Sequence, residues 1–343
     1  MRLNNNAQHY IISIRSITIL LVTLLITSIC TTHTMALPIE HYASHSVLST
    51  GKWYKISVTN SGIHQISYSQ LKSWGYNDPS RVRIYGYGGK VLPEVYSESD
   101  IDDLPQIPVV HSNDRILFYA QGTIKWMYDE KQSCIIHKQN TYATAGYYFI
   151  TESDADACTT DEAPLDPTPS GKRVDMYDGY SLHEEEQVSV SKTGQIFLGE
   201  DFRFTQTRTI SFDIPGIDTQ SPMRVDVAFG AKIIASTGSL RMYHNGTLLS
   251  QDDQWHIATN RDMTYEFMKY ITPTVTTTPR GGKEEFSLTY KTDGTTICAN
   301  LDYIRLTYKR KLQLYDGSVQ FRVYDTVSGH SLAIAGMNDR CIV

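Results

Sequence analysis

Residues 51–89, GKWYKISVTNSGIHQISYSQLKSWGYNDPSRVRIYGYGG, decide the fold class of the first part of the chain. Lys52 to Val58 alternates its side chains in the manner of a half-buried strand. Asn60-Ser61-Gly62 predicts a turn, and Ile63 to Ile66 begins the return strand. Arg81 to Tyr87 is a further alternating strand. The stretch therefore predicts a compact, β-rich module.

A short helix is predicted near residues 67–75. Ser67-Tyr68-Ser69-Gln70 has the form of a capping box, in which the Ser67 hydroxyl accepts a hydrogen bond from the Gln70 amide. Leu71 and Trp74 supply an apolar face, and Gly75 predicts the C-terminal stop of the helix.

Residues 174–314 are predicted to form a second all-β unit, a jelly-roll-like β-sandwich. Asn245-Gly246 matches a type I′ hairpin turn, and Asp293-Gly294 predicts a second such turn. No segment alternates a strand with an amphipathic helix, which disfavours a parallel α/β fold. The predicted strands are Phe202–Ile214, Pro222–Phe229, Ser239–Tyr243, Leu248–Ser250, Tyr265–Val275, Glu285–Tyr290 and Thr295–Tyr308.

The chain is thus predicted to be all-β, with two β-rich domains behind a targeting segment. Ile17 to Ile29 is an apolar run that follows Arg2 and Arg15, which is typical of a signal peptide cleaved after Ala36. Acylation at Cys30 is disfavoured because Ile29, which is not a small residue, precedes it. The predicted segments are a signal peptide at 1–36, an N-terminal domain at 37–151, an acidic, proline-containing linker at 152–173, the sandwich at 174–314 and C-terminal strands at 315–343.

Composition excludes several classes of function. The formal net charge of −6 and the lack of a long basic stripe argue against a nucleic-acid partner. After Ala36 no apolar run is long enough for a transmembrane helix. Signal cleavage leaves four cysteines for three possible disulfide pairings in an oxidising periplasm, and the sequence does not choose among them: Cys134, Cys158, Cys298 and Cys341.

No metal and no cofactor is predicted. The cysteines lack CxxC and zinc spacing. His41 and His45 are four residues apart but have no third ligand nearby. The acidic run Glu98, Asp100, Asp102 and Asp103 leaves a calcium site open as an alternative, although a solvated loop is favoured because the run lacks the order of an EF-hand.

Several motifs, in order along the chain, resemble the PorU family, the sortase of the type IX secretion system. The first is the 51–89 stretch, with Trp74-Gly75, Asp78-Pro79 and Arg81–Gly89. The others are Leu92-Pro93-Glu94, Asp102–Pro105, Asp114–Tyr119, Gln121-Gly122, Lys125–Tyr128, Leu301–Leu306, Tyr308 and Arg310-Lys311-Leu312.

This resemblance implies an exported protein in the periplasm or at the outer-membrane surface of a Gram-negative bacterium. Its implied partners are other type IX attachment-complex proteins and cargo C-terminal signal domains. The complete family protein resembles a gingipain-like cysteine peptidase that removes those signals. Gln320–Val323 and Ser331–Val343 resemble the strands that lead towards the peptidase domain, and we expect a truncated or split gene product without that domain.

No catalytic residue is predicted in this chain. A cysteine peptidase needs a thiolate, a nearby histidine and oxyanion donors. The candidate pairs are Cys134 with His137, and His330 with Cys341. Neighbouring side chains diverge on a strand, which disfavours the first pair, and the second lacks the βα frame of the family.

A possible interaction surface is predicted at Trp126 and Tyr128, which share one face of an extended strand. Two interpretations of this pair remain open. It could form a platform on which a sugar stacks, or it could pack in a core or between domains. Two functions follow for the chain: a structural or protein-interaction region of a type IX sortase, or a free-standing surface β-sandwich that binds carbohydrate or protein.

Overall fold

The computed structural model describes residues 37–97, 99–159, 173–190, 192, 194, 196–250, 254–262, 265–321 and 331–336. The predicted signal peptide, most of the predicted linker, and His330 and Cys341 lie outside the described residues. The chain forms two compact units. One contains the described residues up to Thr50 together with Leu92–Pro105, and the other contains Gly51–Val91 and the chain from Gln106 onward. The predicted domain boundaries remain a prediction.

The first, smaller unit is held by its acidic loop. Asp102 accepts a hydrogen bond from the Ala43 amide at 3.0 Å, and Asp103 accepts from the Ser46 hydroxyl at 3.1 Å and from the Val47 amide. Val47 starts a short 3₁₀ turn, and carboxylates near the first turn satisfy amides that have no partner within it. These two carboxylates therefore serve as hydrogen-bond acceptors for the backbone.

The larger unit begins with a β-rich module around one helix, α1 (Tyr68–Ser73). Its strands are β1 (Tyr54–Val58), β2 (Gly62–Ser67), β3 (Val82–Gly88), β4 (Gln106–Ile107), β5 (Val110–Ser112), β6 (Arg115–Ala120), β7 (Ile124–Asp129), β8 (Cys134–Gln139) and β9 (Gly146–Glu152). They form a four-stranded sheet in the order β1-β9-β3-β4, a three-stranded sheet in the order β2-β6-β5, and the hairpin β7–β8.

Alternation along these strands builds a single apolar core, in which Ile84, Ile116 and Ile150 are fully buried. α1 closes this core with Leu71, which is also fully buried. The Gln70 amide donates to the Ser67 hydroxyl at 3.2 Å, as the capping box predicts, and this bond satisfies one of the free amides of the first turn.

The second part of the larger unit is a β-sandwich of two antiparallel sheets. The sandwich strands are β11 (Met176–Glu184), β12 (Thr207–Ile214), β13 (Met223–Ile234), β14 (Gly238–His244), β15 (Thr247–Leu248), β16 (Trp255–Ile257), β17 (Lys269–Ile271), β18 (Thr274–Thr277), β19 (Gly282–Thr292) and β20 (Thr295–Lys311). One sheet has the order β11-β20-β13-β17 with β18 also on β13, and the other has the order β12-β19-β14-β15 with β16 also on β14. Outside these two sheets, β10 (Arg173–Val174) and β21 (Ser331–Leu332) pair in parallel as a separate two-stranded sheet.

The inner faces of the two sheets supply the sandwich core, because side chains alternate between the faces of each strand. Phe229 and Leu301 from the first sheet and Phe286 from the second are fully buried. Phe212 packs edge-on against Phe286, with ring centroids 5.8 Å apart. The all-β fold with a β-sandwich and a short helix is therefore confirmed.

The two predicted hairpin turns differ in the structure. Asn245 and Gly246 have φ of +46° and +82° and join β14 to β15, its antiparallel partner, as a type I′ turn should. Asp293-Gly294 instead leads from β19 in one sheet to β20 in the other. The prediction of a second hairpin turn is wrong, because β12 and β14 already occupy both edges of β19.

Within the described residues, no helix combines the length and the apolar composition needed to cross a lipid bilayer.

Candidate functional site

The β7–β8 hairpin lies against the outer face of one sandwich sheet. Trp126 and His137 stand opposite each other in the register of the hairpin, so both side chains project from the same face. Trp126 stacks on Tyr180 of β11, with ring centroids 4.0 Å apart and planes 29° apart. His137 meets Tyr303 of β20 edge-on, with centroids 4.6 Å apart. These two aromatic contacts join the N-terminal module to the sandwich.

The pairing of β11 with β20 explains which side chains face the hairpin. Ser181 pairs with Leu306, which points into the sandwich core, so Tyr180 and Glu184 point to the opposite, outer face. Glu184 stands directly opposite Tyr303 in this register.

An ionic network runs through the interface with Arg305 of β20 at its centre. The Arg305 guanidinium donates from Nε and Nη2 to Asp226 Oδ2 at 3.2 and 3.0 Å. Its Nη1 lies 3.3 Å from His137 Nδ1, and His137 Nε2 lies 3.3 Å from Glu184 Oε2. Since a guanidinium can only donate, Nδ1 accepts and the ring proton is on Nε2, directed at the Glu184 carboxylate.

Asp226 is the counter-ion of two arginines. Its carboxylate also accepts bonds from Arg224 Nε at 3.0 and 3.1 Å and from the Thr274 hydroxyl at 2.6 Å. Burial opposes ionisation here, but the hydrogen bonds from Arg224 and Thr274 and the charge of Arg305 outweigh it and lower the pKa of Asp226. Asp226 is therefore ionised throughout the physiological range.

Asp302 is a second buried carboxylate of the same sheet, and it lies at a β-bulge of β20. Ala228 pairs with Tyr303 and Phe229 with Leu301, which leaves Asp302 as the extra residue of β20. The Tyr270 hydroxyl donates to the Asp302 carboxylate. Burial, reinforced by the charge of Glu184, raises the pKa of Asp302 to about 6.

Next to the interface, an aromatic-lined cleft of about 300 Å³ opens beside β7. Tyr119 of β6, 53% exposed, stands opposite the exposed Ile63 on the neighbouring strand β2 of the same sheet. The other lining residues are Ser61, Gln121, Ile124, Lys125, Trp126, Tyr180, Gln320 and Phe321. Apolar rings with a few convergent polar groups are typical of a binding surface.

The structure places the two residues of the predicted interaction surface differently. Trp126 lines the cleft with part of its ring, while the stacked face is covered by Tyr180. Tyr128 is 38% exposed and does not line the cleft. The interaction surface at Trp126 and Tyr128 stays a prediction. Of the two interpretations, packing describes the contact that Trp126 makes with Tyr180 within the chain.

The geometry of the Cys134–His137 pair does not favour catalysis. Cys134 is 3% exposed, and burial raises the pKa of its thiol. Both ring nitrogens of His137 face other groups, Arg305 and Glu184. A nucleophilic cysteine needs the opposite environment, a lowered pKa and an adjacent base.

One group of described residues has donor atoms close enough together for a metal ion, namely His183, Glu185 and Glu200, all within 4.8 Å of one another. His183 Nε2 lies 2.5 Å from Glu200 Oε1, which makes this pair a direct charge-assisted hydrogen bond. Glu185 is exposed and accepts a bond from the Gln187 amide group. We assign no metal ligands here.

Cys134, Cys158 and Cys298 are free thiols.

Comparison with known structures shows what kind of fold this is. The chain is similar to the crystal structure of dimeric latent PorU from Porphyromonas gingivalis, with a TM-score of 0.72 and 27% sequence identity over 84% of this chain. The fold is PorU-like. The match covers 27% of the PorU chain, so this chain spans about a quarter of that protein.

Other solved structures are far less similar. A delta-endotoxin from Bacillus thuringiensis matches with a TM-score of 0.26 and 11% identity, covering 66% of this chain and 42% of its own. An uncharacterized protein from Listeria monocytogenes matches with a TM-score of 0.23 and 13% identity, covering 74% and 19%. These scores are too low to carry an argument. No protein-family model and no curated protein matches the chain.

Proposed function

We propose that this chain is a non-catalytic structural and protein-interaction region of a PorU-like protein of the type IX secretion system. The observation that carries the proposal is the similarity to PorU, which extends over 84% of this chain at a TM-score of 0.72. In this proposal the chain works in the periplasm or at the outer-membrane surface. Its partners are cargo C-terminal signal domains and other attachment-complex proteins.

Two features of the structure support this role. The described cysteine with a histidine nearby in sequence, Cys134, is buried and has a raised thiol pKa. The cleft beside β7 offers exposed aromatic and aliphatic side chains, notably Tyr119 and Ile63. A region that positions cargo for a separate catalytic unit needs a complementary surface and no nucleophile.

The experiment combines binding and cleavage in one sample. The purified chain is immobilised, a cargo C-terminal signal domain is passed over it, and the eluted cargo is weighed by mass spectrometry. We expect saturable binding and intact cargo. Cleavage that is lost in Cys134→Ala would overturn the non-catalytic role, and the absence of binding would overturn the interaction role.

The cleft itself is tested with Tyr119→Ala, which removes an exposed ring without opening the core. An aromatic anchor at an interface contributes more than about 1 kcal/mol, so binding should weaken by roughly fivefold or more. Phe204→Ala is the matched control, because Phe204 is 88% exposed and does not line the cleft. Equal affinities of the two variants would place the binding surface elsewhere.

The second candidate function is a free-standing surface sandwich that binds carbohydrate, favoured by the rings of Trp126 and Tyr180 at the cleft. A glycan array separates the two candidates. Selective glycan binding that Tyr119→Ala abolishes, together with no binding to cargo, would favour the second.

A further inference from the structure

Strand β2 has one edge that no other strand covers. In the order β2-β6-β5 it pairs with β6 alone, and no isolated bridge among the described residues involves it. The Tyr68 amide donates to the Asp114 carbonyl at 2.7 Å, one step beyond the last opposed residues of β2 and β6. Because hydrogen-bonded pairs alternate along an antiparallel ladder, the backbone amides and carbonyls of Ile63 and Gln65 point away from β6.

The sequence of β2 lacks the features that usually protect an open edge. Natural sheets blunt such edges with charged side chains, prolines, bulges or short strands. β2 has the sequence GIHQIS, and it is the longest edge strand in the described part of the chain without Asp, Glu, Lys, Arg or Pro. Its pairing with β6 contains no bulge. An edge of this kind is a template for an added strand.

The open edge of β2 borders the aromatic-lined cleft. Ile63 lines the cleft from β2, and Ile124 and Lys125 line it from β7. The Ser61 hydroxyl accepts a hydrogen bond from the Gly122 amide at 2.9 Å and donates to the Ile124 carbonyl at 3.4 Å. These bonds join β2 and β7 where each strand begins, and both strands then line the cleft.

A side-chain amide already bonds to the backbone at the start of this edge. Gln320 Nε2 donates to the carbonyl of Ser61, the residue before β2, at 3.2 Å. A Cβ on Gly62 would lie 2.5 Å from Gln320 Nε2, so the glycine leaves room for this approach. The primary amide of Gln320 therefore makes the kind of bond that the backbone of an added strand would continue at Ile63.

Two lysines give this side of the cleft a positive charge. Lys125 and Lys138 stand directly opposite each other on the β7–β8 hairpin, and both are exposed. Like charges in this position repel each other. Neither lysine forms an ion pair with another described residue, and no described acidic side chain lines the cleft. A carboxylate on a bound segment would relieve the repulsion.

We propose that the open edge of β2 binds an extended segment of a partner protein as an added β-strand, with a carboxylate of that segment beside Lys125 and Lys138. The backbone groups of Ile63 and Gln65 supply the main-chain hydrogen bonds, and the exposed Ile63 side chain supplies an apolar contact. This inference deepens the interaction role proposed above and rests on it, because the added strand belongs to the cargo C-terminal signal domain.

Hydrogen exchange of the full chain tests the added strand, with a cargo C-terminal signal domain as the probe and mass spectrometry resolving single residues. The amides of His64 and Ile66 bond to β6 and should exchange slowly with or without cargo. The amides of Ile63 and Gln65 should exchange fast in the free chain and slow by about tenfold or more on binding. The amides of β12, another edge strand, should not change. This alternation along β2 is the signature of an added strand.

Two variants test the backbone edge and the charge separately. Ile63→Pro removes the outward amide and no bond to β6, so it should weaken cargo binding by about threefold to tenfold. Lys125→Glu places a negative charge where the carboxylate would lie and should also weaken binding. Lys72→Glu is the matched control, because Lys72 is an exposed lysine of α1 that does not line the cleft. Circular dichroism checks that each variant is folded.

Each outcome has a separate meaning. Cargo that does not bind the wild-type chain would overturn the interaction role, and this inference with it. Saturable binding that leaves the exchange of Ile63 and Gln65 unchanged would overturn the added strand alone. Protection of these two amides that grows with the concentration of the chain, without cargo, would show that two copies pair through this edge and would also overturn the proposal.

Discussion

At the scale of single residues, the most deeply buried acid–base pair among the described residues is formed by His244 and Glu284. Their side chains are 3% and 0% exposed, with 2.6 Å between His244 Nε2 and Glu284 Oε2. Glu284 also accepts the Gly281 amide at 2.8 Å, and His244 Nδ1 lies 3.0 Å from the Thr277 hydroxyl. The ring stacks on Phe286 with centroids 4.7 Å apart. With its polar atoms satisfied inside the sandwich, the pair is structural.

Replacing Glu284 by alanine should therefore destabilise the sandwich strongly. The change leaves a buried histidine and two backbone amides without their acceptor, which costs about 3–5 kcal/mol of unfolding free energy. Urea unfolding of the two proteins measures the difference. Glu285→Ala is the matched control, because the next residue of β19 is exposed and should cost less than about 1 kcal/mol. Similar costs for both variants would contradict the structural role of the pair.

At the scale of elements, the sequence correctly predicts a helix or a turn where the structure that the local pattern favours is also the one that the tertiary surroundings require. α1 has its cap and its apolar residue in adjacent turns, and Asn245-Gly246 carries the φ values that its turn needs. The sequence does not predict β11, because Gly179 interrupts its pattern. A Cβ on Gly179 would lie 2.5 Å from the Tyr308 ring, so the glycine makes room for a partner on β20 that is remote in sequence.

Gly179→Ala should consequently destabilise the pairing of β11 with β20. The Tyr308 ring cannot move away easily, since it is 5% exposed and its hydroxyl bonds to Ser181 at 2.8 Å. Overpacking of this kind costs about 1–3 kcal/mol. Thermal unfolding of Gly179→Ala, Tyr308→Ala and the double variant measures the coupling. If the clash is the cause, adding Gly179→Ala to Tyr308→Ala costs little, whereas fully additive losses would refute it.

At the scale of the whole molecule, the sequence anticipates two β-rich cores but not the interface between hairpin and sandwich. The sequence pattern marks Trp126 as an aromatic residue that is either exposed or packed. No motif marks Tyr180 as its partner. Arg305, Asp226 and His137 meet only because β8, β13 and β20 are brought together by the fold. The bulge that places Asp302 depends on the pairing of two strands and leaves no local signal. Sequence periodicity does not predict a network whose members come from segments that are distant in the chain.

Limited proteolysis tests the predicted division into domains. The 152–173 segment is polar and contains prolines, so proteases should cleave there first. Because Trp126 and His137 contact the sandwich, the two fragments should elute together in gel filtration. First cleavage inside 81–87 would show that this segment is not part of a stable core, and fragments that separate would contradict the interface.

The reactivity of the thiols in this chain tests the proposal that it is a non-catalytic region. Each cysteine of the purified chain is alkylated by iodoacetamide at a series of pH values, and the modified peptides are quantified by mass spectrometry. We expect Cys134 to react slowly with an apparent thiol pKa above its ordinary value of 9.0, and no cysteine to react preferentially near pH 6. A cysteine that is already a reactive thiolate at pH 6, within the described residues or beyond them, would contradict it.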